Sequence, residues 1–165
     1  MNPVKPEKKI YELLEKLGIS YHKYEHPPVF TVAQAEEYRQ NIPGAHCKNL
    51  FLRNKKGNRH YLVILEGSKQ ADLRALAEKI GEDRLSFASP ERLSRYLGLE
   101  AGAVSPFGLI NDVRKEVEVI IDNDLKKAEC LNFHPNVNTA TVGIKFLDFE
   151  KFLAWCGQQI RYLQI

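Results

Sequence analysis

Apolar residues recur along this chain with two different periods, and the changes of period divide it into helices and strands. Ile10, Leu13, Leu14 and Leu17 follow the i, i+3, i+4, i+7 spacing of one helix face. Pro6 suits a first helical turn and Gly18 a C-terminal stop, so a helix is expected over residues 6–17 with its stripe turned to the core. Residues 19–24 read as a strand ended by His26-Pro-Pro28, because consecutive prolines remove ladder donors. Thr31 with Gln34 three positions on fits a capping box for a helix over residues 32–38.

Residues 46–53 and 59–65 alternate as two strands joined by Asn54-Lys-Lys-Gly-Asn58, a hairpin signal with a glycine available for positive φ. Alternation puts Lys48 in a row with Leu50 and Leu52, while Cys47, Asn49 and Phe51 take the other face. An ammonium heading an apolar row either snorkels outward or meets an anion in a cleft, and spacing alone leaves both open. Asp72 is placed to cap a helix that runs through Ile80 and stops at Gly81; residues 85–87 form a short strand; Ser89-Pro90 opens another helix ending near Gly98. Residues 117–122 and 138–144 read as strands, and Asp148 as the cap of a final helix that turns Phe149, Phe152 and Leu153 inward. Helices and strands mix without a βαβ rhythm. The expected class is therefore α+β, with a mixed, strongly curved or barrel-like sheet surrounded by helices, in one domain over residues 1–165.

Composition narrows the classes of function. With 165 residues, 44% hydrophobic and 27% charged, the chain can bury a real core. No apolar run reaches the roughly 20 residues of a membrane span, and the N-terminus lacks the apolar segment of a signal peptide, which points to the cytoplasm. Cys47, Cys130 and Cys156 are too few and scattered for a disulfide framework. A net charge of +3 is a mild basic excess. It is concentrated in Arg53, Lys55, Lys56, Arg59 and His60 around the hairpin turn, with Arg92 and Arg95 on a later helix, a pattern read either as a solvated turn or as a phosphate-contacting rim. No dinucleotide fingerprint, P-loop or HExxH is present. No heptad seam calls for a dimer, so a monomer is expected.

Two segments stand apart from ordinary packing. Gly102-Ala-Val-Ser-Pro-Phe-Gly-Leu-Ile-Asn-Asp112 breaks regular pairing and can turn backbone N–H groups toward a small carbonyl or carboxylate. Phe133-His-Pro-Asn-Val-Asn-Thr139 then supplies an imidazole and two amides in an irregular polar stretch. His134 there is either a turn histidine bonded to nearby backbone or a group that orients water, accepts its proton or holds a ribose. Thr139 and Thr141 suit a strand as well as a pocket. Ser105 lacks a nucleophile elbow and precedes proline, which argues against a serine triad. Cys47 and His46, as consecutive strand residues, point apart. Cys130 with His134 lacks the further ligands a metal site needs, so a metal-free site is favoured.

Together with Pro28-Val-Phe-Thr31 and Cys47-Lys-Asn-Leu-Phe51, these segments resemble the free-standing aminoacyl-tRNA editing proteins related to YbaK and the prolyl-tRNA synthetase insertion domain, the ProX-like group among them. The resemblance implies hydrolysis of mischarged aminoacyl-tRNA, above all alanine on proline tRNA, with size-based exclusion of proline and no cofactor. It implies catalytic roles for Lys48 and His134, and substrate contacts from Thr31, Asn49 and the Gly-x-x-x-Pro element with its neighbour, that is Gly102, Ala103, Val104, Ser105, Pro106 and Phe107. Arg53, Lys55, Lys56 and Arg59 become the tRNA-binding candidates. The implied partner is the acceptor end of aminoacyl-tRNA, with transient contact to a synthetase or elongation factor. A cysteinyl- or seryl-tRNA deacylase of the same fold, or a non-catalytic regulator binding an amino acid or aminoacyl-tRNA, are the alternatives.

Overall fold

The computed structural model describes residues 5–28 and 32–165. In chain order the elements are α1 (Pro6–Lys16), β1 (Tyr21–Glu25), α2 (Val32–Arg39), β2 (Ala45–Asn54), β3 (His60–Glu66), α3 (Leu73–Ile80), β4 (Leu85–Phe87) and α4 (Pro90–Leu97). Then follow 3-10 turns at Ala101–Ala103 and Pro106–Asn111, β5 (Val117–Asp122), a third 3-10 turn at Asn123–Lys127, β6 (Cys130–Phe133), β7 (Ala140–Lys145), α5 (Phe146–Cys156) and β8 (Ile160–Leu163). The α+β class and mixed sheet expected from the pattern are what the chain adopts. Asp72 caps α3 by accepting from the N–H groups of Arg74 and Ala75, and Ser89 caps α4 through Arg92.

Three expectations change. Strands β6 and β8 were not foreseen, and β7 begins at Ala140 rather than 138. Asp148 does not cap α5: the chain passes from β7 straight into the helix at Phe146, so the aspartate lies inside the first turn, where the helix dipole still favours it. Thr31, the expected cap of α2, lies outside the described residues.

Among the described residues the strands form one sheet in the order β1-β7-β6-β2-β3-β5-β8, with β4 added on β2. The edge of β2 away from β3 is shared. At its start, Ala45 and His46 pair in parallel with Leu131 and Asn132 of β6; at its end, Leu52 to Asn54 pair antiparallel with β4. Between them β6 and β4 diverge, so the sheet is split alongside residues 47–50. This split positions the site.

One face of the central strands packs on Ile10 and Leu14 of α1, Leu93 and Leu97 of α4, and Phe149, Phe152 and Leu153 of α5. The opposite face carries Leu52, Tyr61, Val63 and Leu65 against Leu76 and Ala77 of α3. Each fully buried aliphatic or aromatic side chain contributes roughly 1.5–3 kcal/mol by leaving water, so the two layers hold the rims of the split rigid.

Candidate active site

The split in the sheet opens into a cleft lined by His26, Tyr38, Ile42, His46, Cys47, Asn49, Asn132, Phe133, His134 and Thr141. Its volume is about 70 Å³, where one water needs on the order of 10–15 Å³. The space takes a few heavy atoms and a water.

β1, β7 and β6 deliver the imidazoles. His134 follows β6, and its Nδ1–H donates to the Ala140 carbonyl at 3.1 Å, which makes Nε2 the basic nitrogen of the neutral ring. His26 follows β1, where its N–H donates to the Thr139 carbonyl. Its Nδ1 lies 2.9 Å from the Pro27 carbonyl, a group that only accepts, so Nδ1 carries the proton and Nε2 accepts from the Thr141 hydroxyl at 3.0 Å. The His26 ring stacks on Tyr38 with centroids 5.2 Å apart and meets the His134 ring edge-on at 6.4 Å. His26 is thus fixed at both nitrogens and on one face, and it buttresses His134.

Asn132 forms the floor. It pairs across the ladder with Gly143, and its Nδ2 donates to the Pro43 carbonyl at 2.9 Å, tying the turn before β2 to β6. The amide fits only because both neighbours are glycines: a Cβ on Gly143 would stand 2.8 Å from its Oδ1, and one on Gly44 3.1 Å from its Nδ2. Asn49 and Asn132 each bury an Oδ1 that accepts no hydrogen bond from the described residues. Such an oxygen is costly unless a ligand or water donates to it.

Alternation puts Cys47 and Asn49 on one face of β2 and His46 and Lys48 on the other; Cys47, Asn49 and His46, which pairs level with Asn132, line the cleft. The Lys48 ammonium does not line the cleft. It donates to the Lys69 carbonyl at 2.6 Å and, among the described residues, makes no ion pair. Lys69 in turn sits in an ionic knot, 2.9 Å from Asp122 and 2.6 Å from Asp124. Burial pushes the Cys47 thiol up to about 12, so it is protonated and a poor nucleophile at neutral pH.

The glycine-rich segment is less open than its sequence suggests. Ser105, Pro106 and Phe107 are buried; the Ser105 hydroxyl accepts from the Phe107 N–H, and the Phe107 ring packs edge-on against Phe133 at 6.0 Å and Phe152 at 5.1 Å. Gly102 stays exposed, and a Cβ there would lie 3.6 Å from Asn138. The two segments singled out in the sequence therefore meet, with residues 102–104 bordering the loop that carries His134, although none of residues 102–107 lines the cleft itself. Of the expected site residues, Asn49 and His134 share the cleft, Lys48 stands beside it, Thr31 lies outside the described residues, and Arg53, Lys55, Lys56 and Arg59 sit at the far end of β2. Sequence reasoning passed over His26, Tyr38, His46 and Asn132. The Pro-Pro after His26 marked a strand end and hid a histidine held at that end.

Comparison with known proteins agrees with this architecture. Residues 26–152 match the aminoacyl-tRNA editing domain family. The chain is 43% identical to the prolyl-tRNA editing protein ProX of Acetoanaerobium sticklandii, over 92% of this chain and 93% of that one. It is 33% identical to prolyl-tRNA synthetase associated domain-containing protein 1 of Danio rerio, over 92% and 83%, and 34% identical to the multifunctional Ser/Thr-tRNA deacylase ProXp-y of Escherichia coli, over 60% of each. A crystal structure of a candidate trans-editing enzyme for prolyl-tRNA synthetase superposes with a TM-score of 0.71 at 21% identity, over 99% of both chains. The family match across most of the chain, together with the cleft at the split of the sheet, identifies the protein as a member of the aminoacyl-tRNA editing domain family.

Proposed function

We propose that the protein removes alanine from mischarged proline tRNA by hydrolysing the aminoacyl ester in the cleft between β2 and β6. The observation that carries this reading is a cleft of about 70 Å³ that presents the His134 imidazole together with two buried amide oxygens that accept no hydrogen bond from the described residues, in an editing-family chain. An aminoacyl ester is already activated, so orientation, a placed water and charge stabilisation suffice.

His134 Nε2 takes a proton from the attacking water as its oxygen bonds to the ester carbonyl carbon. The bond to the ribose oxygen then breaks as that oxygen takes the proton back from His134, releasing the amino acid and intact tRNA. Asn49 Oδ1 and Asn132 Oδ1 accept from the substrate ammonium or the water. Lys48, whose ammonium rests on a neutral carbonyl, exchanges Lys69 for the anionic end of the substrate or the developing oxyanion; it is our second catalytic candidate. The segment 102–104, exposed at Gly102, receives the amino-acid end, supported from below by Ser105, Pro106 and Phe107, and Thr31 completes the substrate contacts. Arg53, Lys55, Lys56 and Arg59 supply salt-sensitive attraction for the RNA. The working unit is a cytoplasmic monomer that meets a synthetase or elongation factor only in passing.

The cleft is read as admitting alanine and excluding the prolyl ring, the logic of a second sieve. Exclusion of smaller side chains is weaker, since one methyl is worth only about 1–3 kcal/mol. Serine is the expected side activity, in keeping with the Ser/Thr-tRNA deacylase of Escherichia coli among its relatives. Deacylation at catalytic ratios, abolished in Lys48→Ala and His134→Ala and retained in Cys47→Ala, tests the assignment. Loss in Cys47→Ala alone would replace it with a thiol nucleophile, and binding without turnover would leave a regulator.

A further inference from the structure

At the far end of β2, Arg53, Arg92 and Arg95 gather around His60. Arg53 and His60 face each other across the β2–β3 ladder. Arg92, from the first turn of α4, donates one Nη1 to the Gly57 carbonyl at 3.0 Å and to His60 Nε2 at 2.9 Å. The site a Cβ on Gly57 would occupy is 2.9 Å from Arg92 Nη2 and 3.3 Å from Arg53 Nη2, so the two groups lie within about 6 Å of each other. The His60 ring stacks on Tyr96 at 4.0 Å, and Arg95 lies 5.5 Å over the same tyrosine.

Among the described residues Arg53, Arg92 and Arg95 form no ion pair. The other side of the hairpin differs: Arg59 lies 3.6 Å from Glu82, and Lys55 and Lys56 share a surface groove with Glu82 and Asp83. The basic turn thus has one side with an ion pair and one side bare of them, where Arg95 shares a groove with Asp112 and Glu116 but pairs with neither. His60 reports the field on the bare side: burial first, then Arg92, Arg53 and Arg95, lower its pKa from 6.5 to about 4. The neutral ring accepts from Arg92 and fixes the direction of its fork.

We propose that Arg53, Arg92 and Arg95, braced by His60 and Tyr96, form a docking site for a backbone phosphate of the RNA substrate. Guanidinium forks match phosphate oxygens two at a time, which an exposed lysine does not. Arg53 lies four residues from Asn49 on the same face of β2, about 13 Å at ~3.3 Å per residue. A stacked strand carries a phosphate about every 3.4 Å, so an RNA whose 3′ end enters the cleft meets this site roughly four nucleotides back. The inference rests on the RNA-ester reading above and replaces a diffuse basic turn by one ordered contact on its Arg53 side.

The test is titration of an uncharged hairpin RNA carrying the acceptor stem and 3′ end of a proline tRNA, across a salt series, alongside deacylation of the charged tRNA. Arg92→Ala and the exposed Arg95→Ala should each weaken RNA binding several-fold and lower the salt slope by about one. KM should rise while kcat holds, and Arg92→Lys should recover part of the affinity. Lys55→Ala/Lys56→Ala should weaken binding less than Arg92→Ala. Arg95 makes only a ring contact, so its variant stays informative if Arg92→Ala fails to fold. Unchanged affinity and salt slope in Arg95→Ala and Arg92→Ala, with wild-type hydrolysis intact, overturn the phosphate site and leave the hydrolase standing. A wild type that neither binds the RNA nor hydrolyses the ester overturns both.

Discussion

Gly143→Ala should cripple the floor of the cleft, and the cost can be worked from the geometry. The new methyl would stand 2.8 Å from Asn132 Oδ1 and 3.3 Å from Cys130 Sγ. Asn132 is held in place, because its Nδ2 donates to the Pro43 carbonyl at 2.9 Å. Overpacking of this kind costs about 1–3 kcal/mol, and losing the bond to Pro43 adds about 1. A loss of about 2–4 kcal/mol is expected, which at a urea m of about 2 kcal/mol/M lowers the unfolding midpoint by about 1–2 M. Asn132→Ala alone should cost about 1–3 kcal/mol, since it strands the Pro43 carbonyl. In that background Gly143→Ala should be nearly neutral or slightly stabilising: the clash is gone, φ at 143 is not positive, and alanine restricts the unfolded chain. Urea unfolding of the four proteins gives the coupling, expected at about 2–4 kcal/mol in favour of the double variant. Additivity within about 0.5 kcal/mol would refute the wedge.

His134→Gln should lower kcat by about 100-fold or more with little change in KM, as measured by single-turnover deacylation, whereas Cys47→Ala should leave kcat near wild type. Side-chain hydrogen bonds from Lys69, Lys127 and Gln164 lower the Asp124 pKa from 3.8 to about 2. Its stabilising effect is therefore complete above about pH 4 and lost as the pH falls toward 2; acid unfolding of Asp124→Asn should lack that component. His60, whose pKa falls from 6.5 to about 4, has the same sign of dependence in a higher window. Stability should drop as pH falls from about 6.5 to 4, and His60→Gln should flatten the slope in pH-dependent urea unfolding.

The parts legible in the sequence were those whose signal is local. The β2–β3 hairpin announced itself through alternation and Asn54-Lys-Lys-Gly-Asn58, and α3 and α4 through Asp72 and Ser89. Strand β6 is four residues long with Asn132 among apolar neighbours, too short for a period to show, and it exists because β7 and β2 flank it. β8 likewise owes its place to parallel pairing with β5. In the site, His134 stood out because an imidazole before proline among amides has no packing explanation. Asn132 did not, because its meaning depends on Gly44 and Gly143, which only the folded sheet brings to either side of it. Lys48 was legible as an anomaly in an apolar row, but its partner, a backbone carbonyl 21 residues away, was not.

Hydrolysis of alanyl, cysteinyl, seryl and prolyl esters carried on the same proline tRNA tests the central assignment most directly. Rapid loss of alanine, slower loss of serine and an intact prolyl ester are expected. A prolyl ester cleaved as fast as the alanyl one, or no turnover of any ester, would contradict it.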